Sequence, residues 1–250
     1  RYLAGPSISS ILFANFTTDA SYMGEQAPVY VDINVINGIS IRYCDFLDER
    51  SSCNNVNDRA IGIDGFVTGS KVISCDFEDL NYGIRYNQLI EQSNQLKVAS
   101  NNFTRCRNGI YTLSSSNFVI YDNQFDVRRT SGCNEVDRVG GVHLKGETTG
   151  FDFRENSFFN TDIDGASSYL SIGTLCDDTH AGMDNNITKN NFEDLHYGNW
   201  VTGNNGSADM GGMGLTFTCN TYEDFLVPAL TLENDNAIRI EDGATVANPL

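Results

Sequence analysis

The eight residues from Phe151 to Phe158, FDFRENSF, alternate apolar and polar, then place an asparagine two positions before a closing phenylalanine. Alternation of this length reads as a half-buried β-strand, yet asparagine is a poor strand residue and a good turn residue. The conflict matters because the pattern recurs. Written Φ-x-Φ-x-x-N-x-F, it fits Leu96, Val98, Asn101 and Phe103, and again Phe118, Ile120, Asn123 and Phe125. Phe151, Phe153, Asn156 and Phe158 follow, then Ile187, Asn190 and Phe192, then Leu215, Phe217, Asn220 and Tyr222. Upstream, cysteine takes the asparagine place, in Ile39, Ile41, Cys44 and Phe46 and in Val72, Cys75 and Phe77. The first copy is the weakest, with Ile11, Ala14 and Phe16.

The shortest step between aromatic positions, from Phe103 to Phe125, is 22 residues. That is too short for a βαβ unit or a propeller blade, and the longer steps read as the same coil carrying inserts. A second strand follows each aromatic, with Gly83, Gly109 and Gly198 each six residues after its Phe. A glycine there serves a positive φ or a close approach of backbone. Each coil then has a strand, an Asn corner, a short turn, a second strand opening on the glycine, and a shorter third side that closes it. This predicts an all-β chain folded as a right-handed parallel β-helix of about eight coils with loop inserts, in a single domain over 1–250. Coils stack about 4.8 Å apart, so like residues form columns. Asn101, Asn123, Asn156, Asn190 and Asn220 are expected to turn inward and hydrogen-bond one another as a ladder, which satisfies corner groups that are costly to bury unpaired. The aromatics stack beside them.

Composition limits the function. The formal net charge is −17. Nucleic acid and anionic membrane surfaces both require excess Lys and Arg, so neither is an expected partner. No apolar run is long enough for a membrane-spanning helix. The acidity suits a secreted protein or one that binds cations. Seven cysteines with no CxxC pair argue against a zinc ribbon, and Cys53, Cys133 and Cys176 in polar stretches point to an oxidising, extracellular setting. Column logic offers Cys106 with Cys133 and Cys176 with Cys219 as disulfide candidates, and Cys44 with Cys75 as stacked thiols. N-x-S/T sequons occur at Asn15, Asn102, Asn186 and Asn205.

The repeat resembles those of the right-handed β-helix (pectin-lyase-like) superfamily over about residues 7–240. Its members include pectate lyases, polygalacturonases, tailspike-like proteins and large surface adhesins. GLTFTCNTYEDF, at 214–225, resembles coils of very large secreted Bacteroidota proteins. That resemblance implies export through a C-terminal sorting domain by type IX secretion, and a chain that is one segment of a longer protein at the cell surface.

Inserts at 47–59, 126–139 and 159–167 follow the aromatic column, and others at 173–184 and 202–213 leave a different corner. Loops from one corner form a wall where repeat proteins bind. Acidic pairs follow the aromatic at Glu78-Asp79, Glu193-Asp194 and Glu223-Asp224. The last two fall on neighbouring coils and could share a Ca²⁺ ion. NTDIDG, at 160–165, loosely resembles the NTDG element of polygalacturonases, which makes Asp162 and Asp164 candidate acids, although the GHG, paired-Asp and RIK elements of that family are missing. Asp177, Asp178 and His180 lie in CDDTH on the other corner. A lyase needs a base, for which Lys145, Arg154 and His143 are candidates. The reading from sequence is therefore a non-catalytic adhesin, scaffold or glycan-binding module, with a polysaccharide or cell-surface partner. The alternative is a polysaccharide lyase or glycoside hydrolase.

Overall fold

The computed structural model describes residues 7–9, 12–14, 29–32, 39–47, 59–64, 69–87, 96–128, 138–161, 169–179, 185–203, 205, 214–223 and 236–240. Among these residues every regular element is a strand. They form three parallel sheets of eight strands, and within each sheet every strand pairs with the corresponding strand one coil away. The architecture is an all-β parallel β-helix.

In the first sheet, successive coils contribute Lys71–Ile73, Lys97–Ala99, Val119–Tyr121 and Asp152–Arg154. The second sheet carries the aromatic column in three-residue strands such as Asn102–Thr104, Gln124–Asp126 and Ser157–Phe159. The third sheet has longer strands, including Tyr82–Asn87, Asn108–Leu113, Arg138–Lys145, Leu170–Asp177 and Tyr197–Thr202. The short side of the coil is thus the aromatic strand itself, and the glycine-containing side is the longest. The stretch 173–177, expected to open an insert, is instead the end of strand Leu170–Asp177. In the first copy the register pairs Phe13, not Phe16, with Phe46. Leu12–Ala14 alone is too short to reveal its own register, so only pairing with the next coil identifies the column.

The aromatic rings pile along the axis. Centroids of Phe77, Phe103, Phe125 and Phe158 follow one another at 4.7, 4.7 and 4.5 Å, and the column continues to Phe46 on one side and to Phe192 and Tyr222 on the other. Their rings are nearly parallel because strand spacing and register fix both height and direction. The glycines of the third sheet explain how such rings fit. A Cβ on Gly109 would stand 2.9 Å from Phe125 Cδ1, and one on Gly141 would stand 2.4 Å from Phe158 Cε1. Close approach, not a positive φ, is what Gly83, Gly109, Gly141 and Gly173 supply.

Beside the rings, the Asn101, Asn123 and Asn156 side-chain amides each donate to the Oδ1 of the next asparagine at 2.9 Å, and Asn190 donates to Asn220 at 3.1 Å. The same oxygens accept the preceding corner's backbone N–H, beginning with Cys75 N to Asn101 Oδ1 at 2.9 Å. The residue just before each corner is left-handed: Tyr43, Ser74, Ser100, Asp122, Glu155, Lys189 and Cys219 all have φ between 53° and 57°. That conformation swings the following Asn or Cys inward.

The five described cysteines, Cys44, Cys75, Cys106, Cys176 and Cys219, are free, and all but Cys219 are buried. The Cys176–Cys219 pairing does not form: Cys176 lies inside the third sheet's strand Leu170–Asp177, whereas Cys219 is an exposed left-handed corner residue after Leu215–Thr218 of the first sheet. Cys106 is a buried thiol that donates weakly to the Phe77 carbonyl, and its proposed partner Cys133 lies outside the described residues. Burial pushes the Cys75 and Cys106 thiols up to about 12, so they are unreactive core groups.

Candidate functional site

The outer face of the third sheet gathers chemistry that the sequence scatters. In a strand, alternate residues face outward. Register places Arg85, Tyr111, His143, Leu175 and Trp200 in one outward row, and Leu113, Lys145, Asp177 and Thr202 in the next. Tyr82 and Tyr197 lie in a third row. Tyr111 is central. Its ring meets Tyr82 edge-on at 5.4 Å and His143 at 5.0 Å, with the Arg85 guanidinium 5.9 Å away on the ring face. Farther along, Ile172, Leu175 and Tyr197 form a buried cluster separate from the main core, with Leu170 and Trp200 packed against it.

His143 and Lys145 come from Arg138–Lys145, and Asp177 comes from the neighbouring Leu170–Asp177. Lys145 Nζ lies 3.2 Å from Asp177 Oδ2. His143 Nε2 lies 3.7 Å from the same oxygen, too far for a hydrogen bond, and is buried without another partner. Burial pushes the His143 pKa down, and the Asp177 carboxylate only partly offsets this. His143 and Lys145 together hold Asp177 at about 2 against the opposing effect of burial; Lys145 is the closer partner. Asp177 in turn raises the Lys145 pKa. The site near neutrality is thus a neutral imidazole beside an ammonium–carboxylate pair.

The other candidates are dispersed. Arg154 sits on the first sheet, 3.0 Å from Asp152 and beside Tyr121, remote in the fold from Lys145. Asp178 is an exposed corner residue, and Asp162, Asp164, His180 and Asp224 lie outside the described residues. Glu193 and Glu223 are register partners on neighbouring coils, with the Asp194 backbone N–H donating to the Glu223 carbonyl. Among the described residues no three His, Cys, Asp or Glu side chains gather to hold a metal. The Glu78-Asp79 pair is answered by Arg105, whose guanidinium bonds Asp79 at 2.7 and 2.8 Å and also Glu78.

An open groove of about 500 Å³ runs along the second sheet past Asp45, Asp76, Asn102, Asp126 and Phe159. Asn102 bonds Asp76 and Arg128 bonds Asp126, so much of its charge is satisfied internally. The sequons separate as well. Asn102 is exposed, whereas Asn205 is buried, accepting from Thr179 and donating to the Thr202 carbonyl.

Asp177 is the residue that sequence reasoning misplaced. Its partnership with Lys145 follows only from the third-sheet register, and the available signal was the alternation of LSIGTLCD continuing through Asp177. No helix among the described residues is long and apolar enough to cross a membrane. No family model, curated protein or solved structure matches this chain.

Proposed function

We propose that this chain is a non-catalytic, glycan-binding β-helix module of an extracellular, cell-surface protein, and that it takes polysaccharide along the outer face of the third sheet. The observation that carries this reading is the partly exposed set of Tyr82, Tyr111 and Trp200 beside the Lys145–Asp177 pair. Aromatic rings offer apolar platforms with polar tips, and a few placed polar groups then fix orientation. Membership of the pectin-lyase-like superfamily, and of the large secreted Bacteroidota proteins within it, belongs to the same proposal and rests on the repeat. With no bridge among the described cysteines, the extracellular assignment rests on the acidity and the repeat.

The ionisation of the Lys145–Asp177 pair suits binding better than proton transfer. A general base works best with a pKa near the operating pH. Lys145 is shifted upward, away from that range, and Asp177 is held far below it. The test is incubation with a panel of polysaccharides, with and without calcium, alongside affinity electrophoresis in the same polymers. Retardation without new reducing ends or unsaturated products is expected. Release of such products, abolished by His143→Ala or Lys145→Ala, would establish the lyase or hydrolase reading instead.

A further inference from the structure

We propose that the third-sheet site selects an uncharged sugar with adjacent hydroxyl groups and rejects uronates. This deepens, and rests on, the glycan-binding reading. The Lys145 ammonium is a point donor with three N–H groups, and the Asp177 carboxylate accepts only. Held 3.2 Å apart, they present a donor and an acceptor side by side with no net charge. Two neighbouring hydroxyls on one ring match that arrangement, because one can accept from the ammonium while the other donates to the carboxylate. Tyr111 stands one coil before Lys145 in the adjoining outward row, where it can carry the apolar face of the same ring.

The pair stabilises the fold only modestly, chiefly through Asp177. The side chains of Lys145 and Asp177 are 45% and 23% exposed, and ion pairs at such positions contribute little. Its position beside the aromatic platform is therefore better explained by recognition. A uronate carboxylate approaching Lys145 would have to stand beside Asp177, and like charges at that separation repel. Two other cations share this face. Arg85 lies on the Tyr111 ring, on a strand three removed from that of Asp177. Arg138, on the same strand as Lys145, acts to lower the pKa of both Lys145 and His143 through its charge, but the charge held against Lys145 at 3.2 Å is Asp177. The chain's charge of −17 adds a long-range field against any polyanion.

Affinity electrophoresis of the whole chain separates the possibilities, using xylan and galactomannan as neutral probes and polygalacturonate and alginate as acidic ones. Wild type should be retarded by at least one neutral polymer and by neither acidic one. Tyr111→Ala should abolish retardation. Asp177→Asn should weaken neutral binding about tenfold, and the freed ammonium should bring salt-sensitive retardation by polygalacturonate. Lys145→Gln should weaken neutral binding without that gain, so it provides a second reading should Asp177→Asn fold poorly by circular dichroism. Equal retardation by acidic and neutral polymers, lost in Tyr111→Ala, leaves glycan binding standing and overturns the selectivity. An unchanged preference in both Asp177→Asn and Lys145→Gln also overturns it. Retardation by neither class overturns the glycan-binding reading and the selectivity together.

Discussion

At the scale of single residues, the fold depends on groups that have no room to change. Asn156 accepts two hydrogen bonds from Asn123 and donates to Asn190 and to the Ile120 carbonyl. Leucine there strands the Asn123 donors in the core. Asn156→Leu should cost about 1–3 kcal/mol, read as a lower denaturant midpoint. Gly141→Ala should cost a similar amount, about 1–3 kcal/mol, because the new methyl meets the Phe158 ring and the Gly173 carbonyl. A Phe158→Leu background should recover part of that loss, and additive effects would sink the packing account. The Asn and Phe columns were legible in the sequence because their side chains are chemically restricted. The left-handed residue before each corner was not. Tyr43, Ser100, Glu155 and Lys189 share a backbone conformation but no chemistry, since their side chains point away from the core the turn creates.

At the scale of strands, register decides what meets what. Tyr111, His143 and Leu175 are far apart in the chain and become neighbours because inserts between coils leave the pairing intact. Strand existence followed from alternation, but the partnership of Lys145 with Asp177 required a coil boundary that composition does not mark. That partnership gives the stability a pH dependence. Burial lowers the folded His143 pKa below 6.5, so the unfolded chain takes that proton first and stability declines as pH falls below about 6.5. Asp177 falls from 3.8 to about 2 on folding, so its contribution is full above 3.8 and is lost as pH drops through about 2. Asp177→Asn should flatten the lower limb, and His143→Gln the upper one, in melting temperatures measured across pH 2–8. An Asp177→Asn curve parallel to wild type below pH 4 would count against the pair.

At the scale of the molecule, stability is the sum of coil and coil–coil terms, because each coil touches only its neighbours. Phe158→Ala, in the middle of the aromatic stack, removes packing against both Phe125 and Phe192. It should cost about 3–5 kcal/mol. Hydrogen exchange should rise most in the strands on either side of the lesion and least in coils several steps away. Uniform acceleration throughout would mean that the solenoid opens as one unit. The sequence carried the solenoid clearly because repetition multiplies a weak signal. Function was less legible, because the face that binds is set by outward residues that the repeat does not constrain.

The asparagine ladder also has a direction. Every link donates toward the coil that follows, from Asn101 to Asn220. A cut after Asn190 would orphan both its backbone N–H and a side-chain N–H. A cut before Asn101 would leave one side-chain N–H and a carbonyl oxygen unfilled, and under-satisfied oxygens are the more readily tolerated. Shortening this protein from its C-terminal side should therefore be the more damaging truncation, and a chain emerging N-terminus first completes each turn only when the next one arrives to accept it.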